Sequence, residues 1–368
     1  MTSWVIAGGG TGGHVTLALA LGEEIARRGE PVLFVGTDQG FESKWVPEAG
    51  FELLALPARQ VMGRSLFGTL SGGFSLIRSA LPAFRALSRV HADVVISVGG
   101  YAAIPAILAA SARRTPLALL EPNAIPGRAN RFAARLATDV FVGFASTQSQ
   151  LGTPASQTRC VGIPLRRGLI ERVHGLDARR KPASPFRLLV FGGSQGARQI
   201  NDAMIAATPQ LSPLPLQIFH QTGEADRDRV TAAYREARID AEVVAFEPDM
   251  PARYAWADVA LCRAGAITVA ELALAGLPSL LVPYPFAADD HQAANAAALE
   301  RAGAAVQLNP RALDPERIVD ALCKWFEDPE RLTAMSEAAA TLGRPDAASE
   351  VIDVCKERLE RTRPTTAM

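Results

Sequence analysis

Trp4-Val5-Ile6-Ala7-Gly8-Gly9-Gly10-Thr11-Gly12-Gly13-His14 and Arg187-Leu188-Leu189-Val190-Phe191-Gly192-Gly193-Ser194-Gln195-Gly196-Ala197 follow one plan. Each is a short apolar run, then a glycine loop, then the start of a helical stretch. Between and beyond them, β-branched runs alternate with helical segments. Strands are expected at Trp4–Ala7, Pro31–Val35, Val94–Val98, Leu117–Leu120 and Val140–Val142. A second set is expected at Arg187–Phe191, Leu216–His220, Glu242–Ala245, Val259–Cys262 and Ser279–Val282. Alternation of this kind implies parallel sheets with helices on both faces. The linker-like Pro182-Ala183-Ser184-Pro185 precedes the restart. The chain therefore reads as an α/β protein of two Rossmann-like domains, followed by C-terminal helices.

The 368 residues suffice for two domains, and 48% hydrophobic with 21% charged residues is a soluble globular composition. Cys160, Cys262, Cys323 and Cys355 form no CxxC pair, so neither a metal site nor a redox motif is expected. The N-terminus lacks the basic start and long apolar run of a signal peptide. The most apolar later stretch, Ala102 to Leu120, is interrupted by Pro105, Arg113, Arg114 and Pro116. It falls short of the ~20 apolar residues that a spanning helix needs, so a cytoplasmic protein is expected. The net charge is zero, but Leu53 to Thr138 holds ten arginines, no lysine, and only Asp93 and Glu121 as acids, a net of +8. A basic region of this size invites an anionic partner, unless it is simply a solvated surface.

Four segments carry chemistry. In Gly8 to His14, glycines let the backbone approach a ligand at a helix start, where N–H groups favour anions. The loop also satisfies GxGxxG, but a nicotinamide site wants an acid about 20 residues on, at the end of the second strand. Here that strand ends Val35-Gly36-Thr37 and Asp38 comes late. His14 sits at the loop-to-helix junction, either as a proton acceptor or as a residue that caps the loop. Gly192 to Ala197 occupies the equivalent corner of the second half, where a diphosphate can rest on backbone N–H groups and the helix dipole. Arg263-Ala264-Gly265-Ala266-Ile267-Thr268-Val269-Ala270-Glu271 turns from strand to helix, with Glu271 able to accept two ribose hydroxyls. The fourth, Pro283 to Gln292 with Asn295 beyond it, is by itself a polar loop with a helix cap.

Taken together, the order and spacing of these segments resemble the MurG family, from Val5 to about Ala305 and most densely in the second half. Gly192 to Ala197 matches that family's GGSQGA loop, and Val161-Gly162-Ile163-Pro164-Leu165-Arg166 resembles its VGNPVR segment. The resemblance implies the GT-B fold, two Rossmann-like domains facing a cleft, and an inverting transfer of N-acetylglucosamine onto a lipid-linked muramyl-pentapeptide. It implies no metal and no cofactor. It divides the chain into an acceptor domain over 1–162, a UDP-sugar domain over 163–345, and a helix and tail over 346–368.

The resemblance also assigns residues. Thr11, Gly12 and Gly13 lie near the diphosphate and the acceptor, and Asn123 and Arg166 join the donor-sugar site. Ser194 holds phosphate, and the backbone near Phe246 and Glu247 reads uracil. Ala266, Ile267, Thr268, Val269 and Ala270 frame the nucleotide, Glu271 binds ribose, and His291 and Gln292 face the sugar. The departures are Leu17 for proline, the missing serine-glycine before Pro105, with Ile104 there, Pro122 for glutamine, and Ile163 for asparagine. Three of these four lie in the acceptor half.

The expected reaction is attack of an acceptor hydroxyl on C1 of UDP-N-acetylglucosamine. His14, or failing that Glu121, removes the hydroxyl proton. Loop N–H groups, helix N-termini and Arg166 stabilise the leaving diphosphate. Two rival readings are a UDP-sugar epimerase and a silent protein that only binds nucleotide sugar. The expected partners are UDP-N-acetylglucosamine, an undecaprenyl-linked acceptor and an anionic membrane surface, with no nucleic acid. Between Val61 and Val90, Leu66, Phe67, Leu70, Phe74, Leu76, Ile77, Leu81 and Phe84 alternate with Arg64, Arg78, Arg85 and Arg89. Such a segment suits peripheral docking on the inner face of the cytoplasmic membrane, although a core helix with solvated arginines has the same pattern.

Overall fold

A computed structural model describes residues 1–56, 80–174, 184–193 and 196–362. Contacts divide the chain into two compact units, Met1–Arg167 joined by the segment from Arg344 onward, and Gly168–Gly343. The first unit thus runs five residues past the expected boundary and takes back the C-terminal helix.

In the first unit, seven parallel strands lie in the order β3-β2-β1-β4-β5-β6-β7. They are β1 (Trp4–Gly8), β2 (Val32–Thr37), β3 (Glu52–Leu56), β4 (Val94–Gly99), β5 (Leu117–Glu121), β6 (Asp139–Val142) and β7 (Thr158–Cys160). Every residue of β1, β4, β5 and β6 is buried, as befits strands covered by helices on both faces. The strand order reverses at β1, which pairs with β2 on one side and β4 on the other. In an open parallel sheet, the crevice at the carboxyl ends of the strands at such a reversal is where ligands bind. Here it is bordered by the loop after β1 and the loop after β4.

The first unit's C-terminal helix, Ala347–Thr362, buries Val351, Ile352, Cys355 and Leu359 at helical spacing. It is tied at its rim by Arg28 to Asp353, by Lys356 Nζ to Glu30 at 2.9 Å, and by Arg358 Nη2 to Asp139 at 2.8 Å.

The second unit repeats the plan with six parallel strands ordered β10-β9-β8-β11-β12-β13. These are β8 (Phe186–Phe191), β9 (Leu216–Gln221), β10 (Asp240–Val244), β11 (Val259–Cys262), β12 (Ser279–Leu281) and β13 (Ala305–Gln307). The reversal falls at β8, between β9 and β11. The carboxyl ends there carry the second glycine loop and the Arg263–Gly265 turn. Both units are therefore Rossmann-like, and in each the glycine loop falls at the reversal, while Pro283–Gln292 follows β12 one strand further out.

Candidate functional sites of the two units

In the first unit, Thr11 caps the helix α1 (Gly12–Arg27), its side chain accepting from His14 N at 3.4 Å. Its Oγ1 also lies 2.9 Å from His14 Nδ1. Thr11 and Gly13 are exposed, and Gly12 and His14 partly so. In the form of His14 that accepts a proton at Nε2, Nδ1–H donates to this hydroxyl. The loop after β4 packs underneath. Gly100 has φ +80°, and a Cβ there would lie 2.6 Å from Gly9 O and 3.5 Å from His14 Nδ1. Only glycine lets the two loops come this close.

Glu121 has a different place from the one expected of a base. It is 1% exposed, and its carboxylate accepts four N–H bonds. These come from Asn123 N at 2.8 Å, Asn123 Nδ2 at 3.1 Å, Gly127 N at 2.9 Å and Asn130 Nδ2 at 2.8 Å. Burial raises its pKa above the usual carboxylate range, against the pull of these four bonds. Its oxygens are used in shaping the loop after β5. Asn123 is partly exposed on that loop, and its carbonyl accepts from Thr147 Oγ1 at 2.9 Å. Arg166 is exposed and belongs to the first unit, where Glu23 of α1 holds its Nε at 2.8 Å and its Nη2 at 2.6 Å.

In the second unit, Ser194 and its neighbour Gln195 lie outside the described residues. Of the glycines around them, Gly192 and Gly196 are set by close approach and Gly193 by its φ of +95°. Gly196 has φ +74°, and a Cβ there would lie 1.9 Å from Thr222 O. Gln221 Nε2 donates to Gly193 O at 2.9 Å. A buried relay supports the Thr222 strand end. Asn201 Nδ2 donates to Thr222 O at 3.0 Å and to Asp226 at 2.8 Å, so its Oδ1 must accept from His220 Nε2–H at 3.0 Å. His220 Nδ1 then accepts from Tyr234 OH at 2.8 Å. Burial depresses the His220 pKa to about 3, so the ring stays neutral and this pattern holds.

Ala266–Leu274 forms the helix α2, with Gly265 at its N-cap and no side chain capping it. The N–H groups of Ala266, Ile267 and Thr268 therefore open its N-terminus, an anion-favouring arrangement. Val269 N is already committed to Gly265 O at 3.0 Å, while Ala270 lies further into the helix. Glu271 follows one turn in, where Tyr254 OH donates to its Oε2 at 2.7 Å. Burial raises the Glu271 pKa to about 7, although the residue as a whole keeps some surface in solvent. Its Oε1 has no partner among the described residues. Arg263, at the end of β11, donates to Val282 O at 3.2 Å and Pro283 O at 3.0 Å, and buttresses the next loop. Within that loop, Gln292 Oε1 accepts from Tyr284 N at 2.8 Å, and His291 Nδ1 donates to Ala288 O at 2.7 Å. This leaves His291 Nε2 as an acceptor and the Gln292 amide N–H groups as donors. The Glu247 side chain is used internally, accepting from Asp249 N and Arg253 Nε, each at 2.7 Å.

Sequence reasoning assigned no role to Glu42, Tyr254, Gln221 or the His220–Asn201 relay. Arg263 and Asn295 stood in the quoted motifs without a role; Asn295 is buried and donates to Ala264 O at 3.1 Å. Among the described residues, no cluster of histidine, cysteine and carboxylate side chains is arranged to hold a metal ion.

Comparison with known proteins agrees with this layout. Residues 4–142 match the glycosyltransferase family 28 N-terminal domain, and residues 187–351 match the glycosyltransferase family 28 C-terminal domain. A relative from Pelobacter propionicus is 40% identical over 371 residues, covering 95% of this chain and 97% of its own. It is named UDP-N-acetylglucosamine--N-acetylmuramyl-(pentapeptide) pyrophosphoryl-undecaprenol N-acetylglucosamine transferase. The crystal structure of Acinetobacter baumannii MurG is 31% identical and superposes with a TM-score of 0.83, over 97% of this chain and 100% of its own. A UDP-GlcNAc 2-epimerase from Neisseria meningitidis bound to UDP-GlcNAc reaches a TM-score of 0.69 over 97% of this chain and 100% of its own, at 12% identity. That likeness shows the fold alone. With near-complete coverage at 40% identity and matches to both halves, the chain belongs to the MurG family of glycosyltransferases, with the GT-B fold.

Proposed function

We propose that this protein transfers N-acetylglucosamine from UDP-N-acetylglucosamine to the undecaprenyl-diphosphate-linked N-acetylmuramyl-pentapeptide, the step of peptidoglycan synthesis that turns lipid I into lipid II. The observation that carries the reading is the second unit's reversal point. There an uncapped helix N-terminus, a glycine loop and Glu271 with Oε1 available converge on what a uridine diphosphate presents: anionic oxygens and a ribose diol. In the reaction, the acceptor hydroxyl gives its proton to His14 Nε2 as its oxygen bonds to C1 of the sugar. The C1–O bond to the diphosphate breaks, and its electron pair leaves with UDP, inverting C1. The uncapped N–H groups of α2 and the second glycine loop stabilise that growing charge. Thr11 orients His14, and Glu121 shapes the neighbouring loop.

The epimerase reading has only fold-level likeness behind it, at 12% identity. Incubation with UDP-N-acetylglucosamine alone separates the two. A transferase leaves the donor sugar unchanged until acceptor is added, whereas an epimerase converts it without acceptor.

A peripheral membrane site of action is part of the same proposal. No helix among the described residues is long and apolar enough to cross a membrane. On the helical residues 80–89, Leu81 is 53% and Phe84 37% exposed, beside exposed Arg85 and Arg89. Arg113 lies over the Phe84 ring at 5.4 Å, and Arg89 pairs with Glu52 at 3.2 Å. The remaining apolar and basic residues of this segment, from Arg64 to Ile77 and Arg78, lie outside the described residues.

A further inference from the structure

Glu42 is a charged side chain only 2% exposed, yet no cation lies against it among the described residues. It stands at the start of the short helix Glu42–Glu48. Its carboxylate accepts three hydrogen bonds from two different strand ends. Gly10 N donates to Oε2 at 2.9 Å, and Thr37 N and Thr37 Oγ1 donate to Oε1 at 3.0 Å and 2.6 Å. Three glycines make room for it. A Cβ on Gly9, Gly36 or Gly40 would lie 2.3, 2.6 or 2.1 Å from Glu42 atoms. One turn further along the same helix, Trp45 lies against Gly12, where a Cβ would sit 3.1 Å from the indole. The loop between β1 and α1 is thus held from behind by this helix.

Desolvating a carboxylate is costly unless hydrogen bonds offset it. A fold needing only a buried plug would use an apolar residue in its place. What the carboxylate supplies is a fixed acceptor for Gly10 N, in a residue at φ +85° that immediately precedes Thr11. Thr11 is the residue whose hydroxyl meets His14 Nδ1. We propose that Glu42 is a positioning residue for glycosyl transfer, fixing the Gly10 amide and through it the Thr11–His14 pair. This rests on the assignment of His14 as the proton acceptor.

Glu42→Gln keeps the shape but cannot satisfy both strand ends. If its oxygen faces Thr37, its NH2 faces the Gly10 N–H, donor against donor, and the loop must move. A displacement of about 1 Å at a reacting group costs ~10²-fold in rate. The test uses the full-length chain with UDP-N-acetylglucosamine and a short-chain lipid-linked acceptor, comparing the parent, Glu42→Gln, His14→Ala and the double variant. The expected result for Glu42→Gln is a kcat lower by ~10–10²-fold, with unchanged UDP affinity. The double variant should be no slower than His14→Ala alone, since groups acting as a unit do not add. Full turnover in folded Glu42→Gln, or losses that multiply in the double variant, would overturn the proposal. If instead His14→Ala alone stays within a few-fold of the parent, the assignment of His14 is what fails. Should Glu42→Gln not fold, Glu42→Asp carries the test. It keeps the charge but withdraws the carboxylate by one C–C bond, ~1.5 Å, and the same loss of kcat at unchanged UDP affinity is expected.

Discussion

Glu271 is asked to do two opposed things, and a pH series on Glu271→Gln separates them. In the free protein its pKa is raised from 4.5 to about 7 by burial, with Tyr254 OH as its hydrogen-bond partner. A carboxyl with a raised folded-state pKa contributes stability that is present in full below pH 4.5 and is lost as pH rises through 7. Ribose hydroxyls, however, donate to the carboxylate, so sugar-nucleotide binding needs the charged form. Affinity should therefore rise with pH while the free protein's stability falls. UDP-N-acetylglucosamine is the right probe, because its diphosphate is doubly esterified and does not titrate in this range. The carboxylate fraction changes tenfold per pH unit below the pKa, so binding at pH 6 should be about tenfold weaker than at pH 8. A hydrogen bond to a charged group is worth ~1.5–3 kcal/mol. Glu271→Gln should thus bind at least ~10-fold more weakly than the parent at pH 8, where ~1.4 kcal/mol is one decade. Its affinity should be nearly flat with pH, and its Tm should fall less than the parent's between pH 5 and pH 8. Calorimetric titration and thermal melts at three pH values measure both. Equal affinity of the parent and Glu271→Gln at pH 8 would remove Glu271 from the ribose site.

Three further outcomes follow from the same geometry. His14→Ala should lower kcat by ~10²–10⁴-fold, the range of a general base, with UDP affinity intact; a change within a few-fold, read from initial rates, makes the residue structural. Gly196→Ala should weaken UDP binding and lower the Tm, because its Cβ would lie 1.9 Å from Thr222 O at φ +74°; a parent-like titration curve and melt would refute the close packing. The full-length chain should co-sediment with anionic vesicles at low salt and be released at high salt, at ~1 kcal/mol per basic residue near the surface; equal, negligible binding to anionic and neutral vesicles would remove the membrane proposal.

The legible parts of the fold were those with strong local signals. Long buried strands such as Val94–Gly99 and Phe186–Phe191 announce themselves by mainly apolar, β-branched or leucine-rich runs. β3, β7 and β13 carried no such signal. Each is a short strand with most of its residues half-buried or exposed; β7 and β13 are three residues long, and the Leu53–Leu56 run of β3 ends at Pro57, which leaves it too short to tell a strand from a helical turn. The positions of Gly8 to His14 and of Ala266 to Glu271 were legible because strand–glycine–helix is a local pattern. Glu42 was not, since its partners Gly10 and Thr37 meet it only when two parallel strands lie side by side. In sequence, Glu121 stands only as the alternative base to His14, and nothing local shows how its oxygens are used. The four N–H groups that decide its place come from residues two, six and nine positions later, arranged by the turn itself.

Product analysis with labelled UDP-N-acetylglucosamine and a short-chain analogue of the undecaprenyl-diphosphate-linked muramyl-pentapeptide reads the proposed chemistry itself. UDP and a lipid-linked disaccharide should form in equal amounts, with the new glycosidic bond in the β configuration from the α-linked donor. Label absent from the lipid, a sugar epimerised without acceptor, or an α-linked product would contradict it.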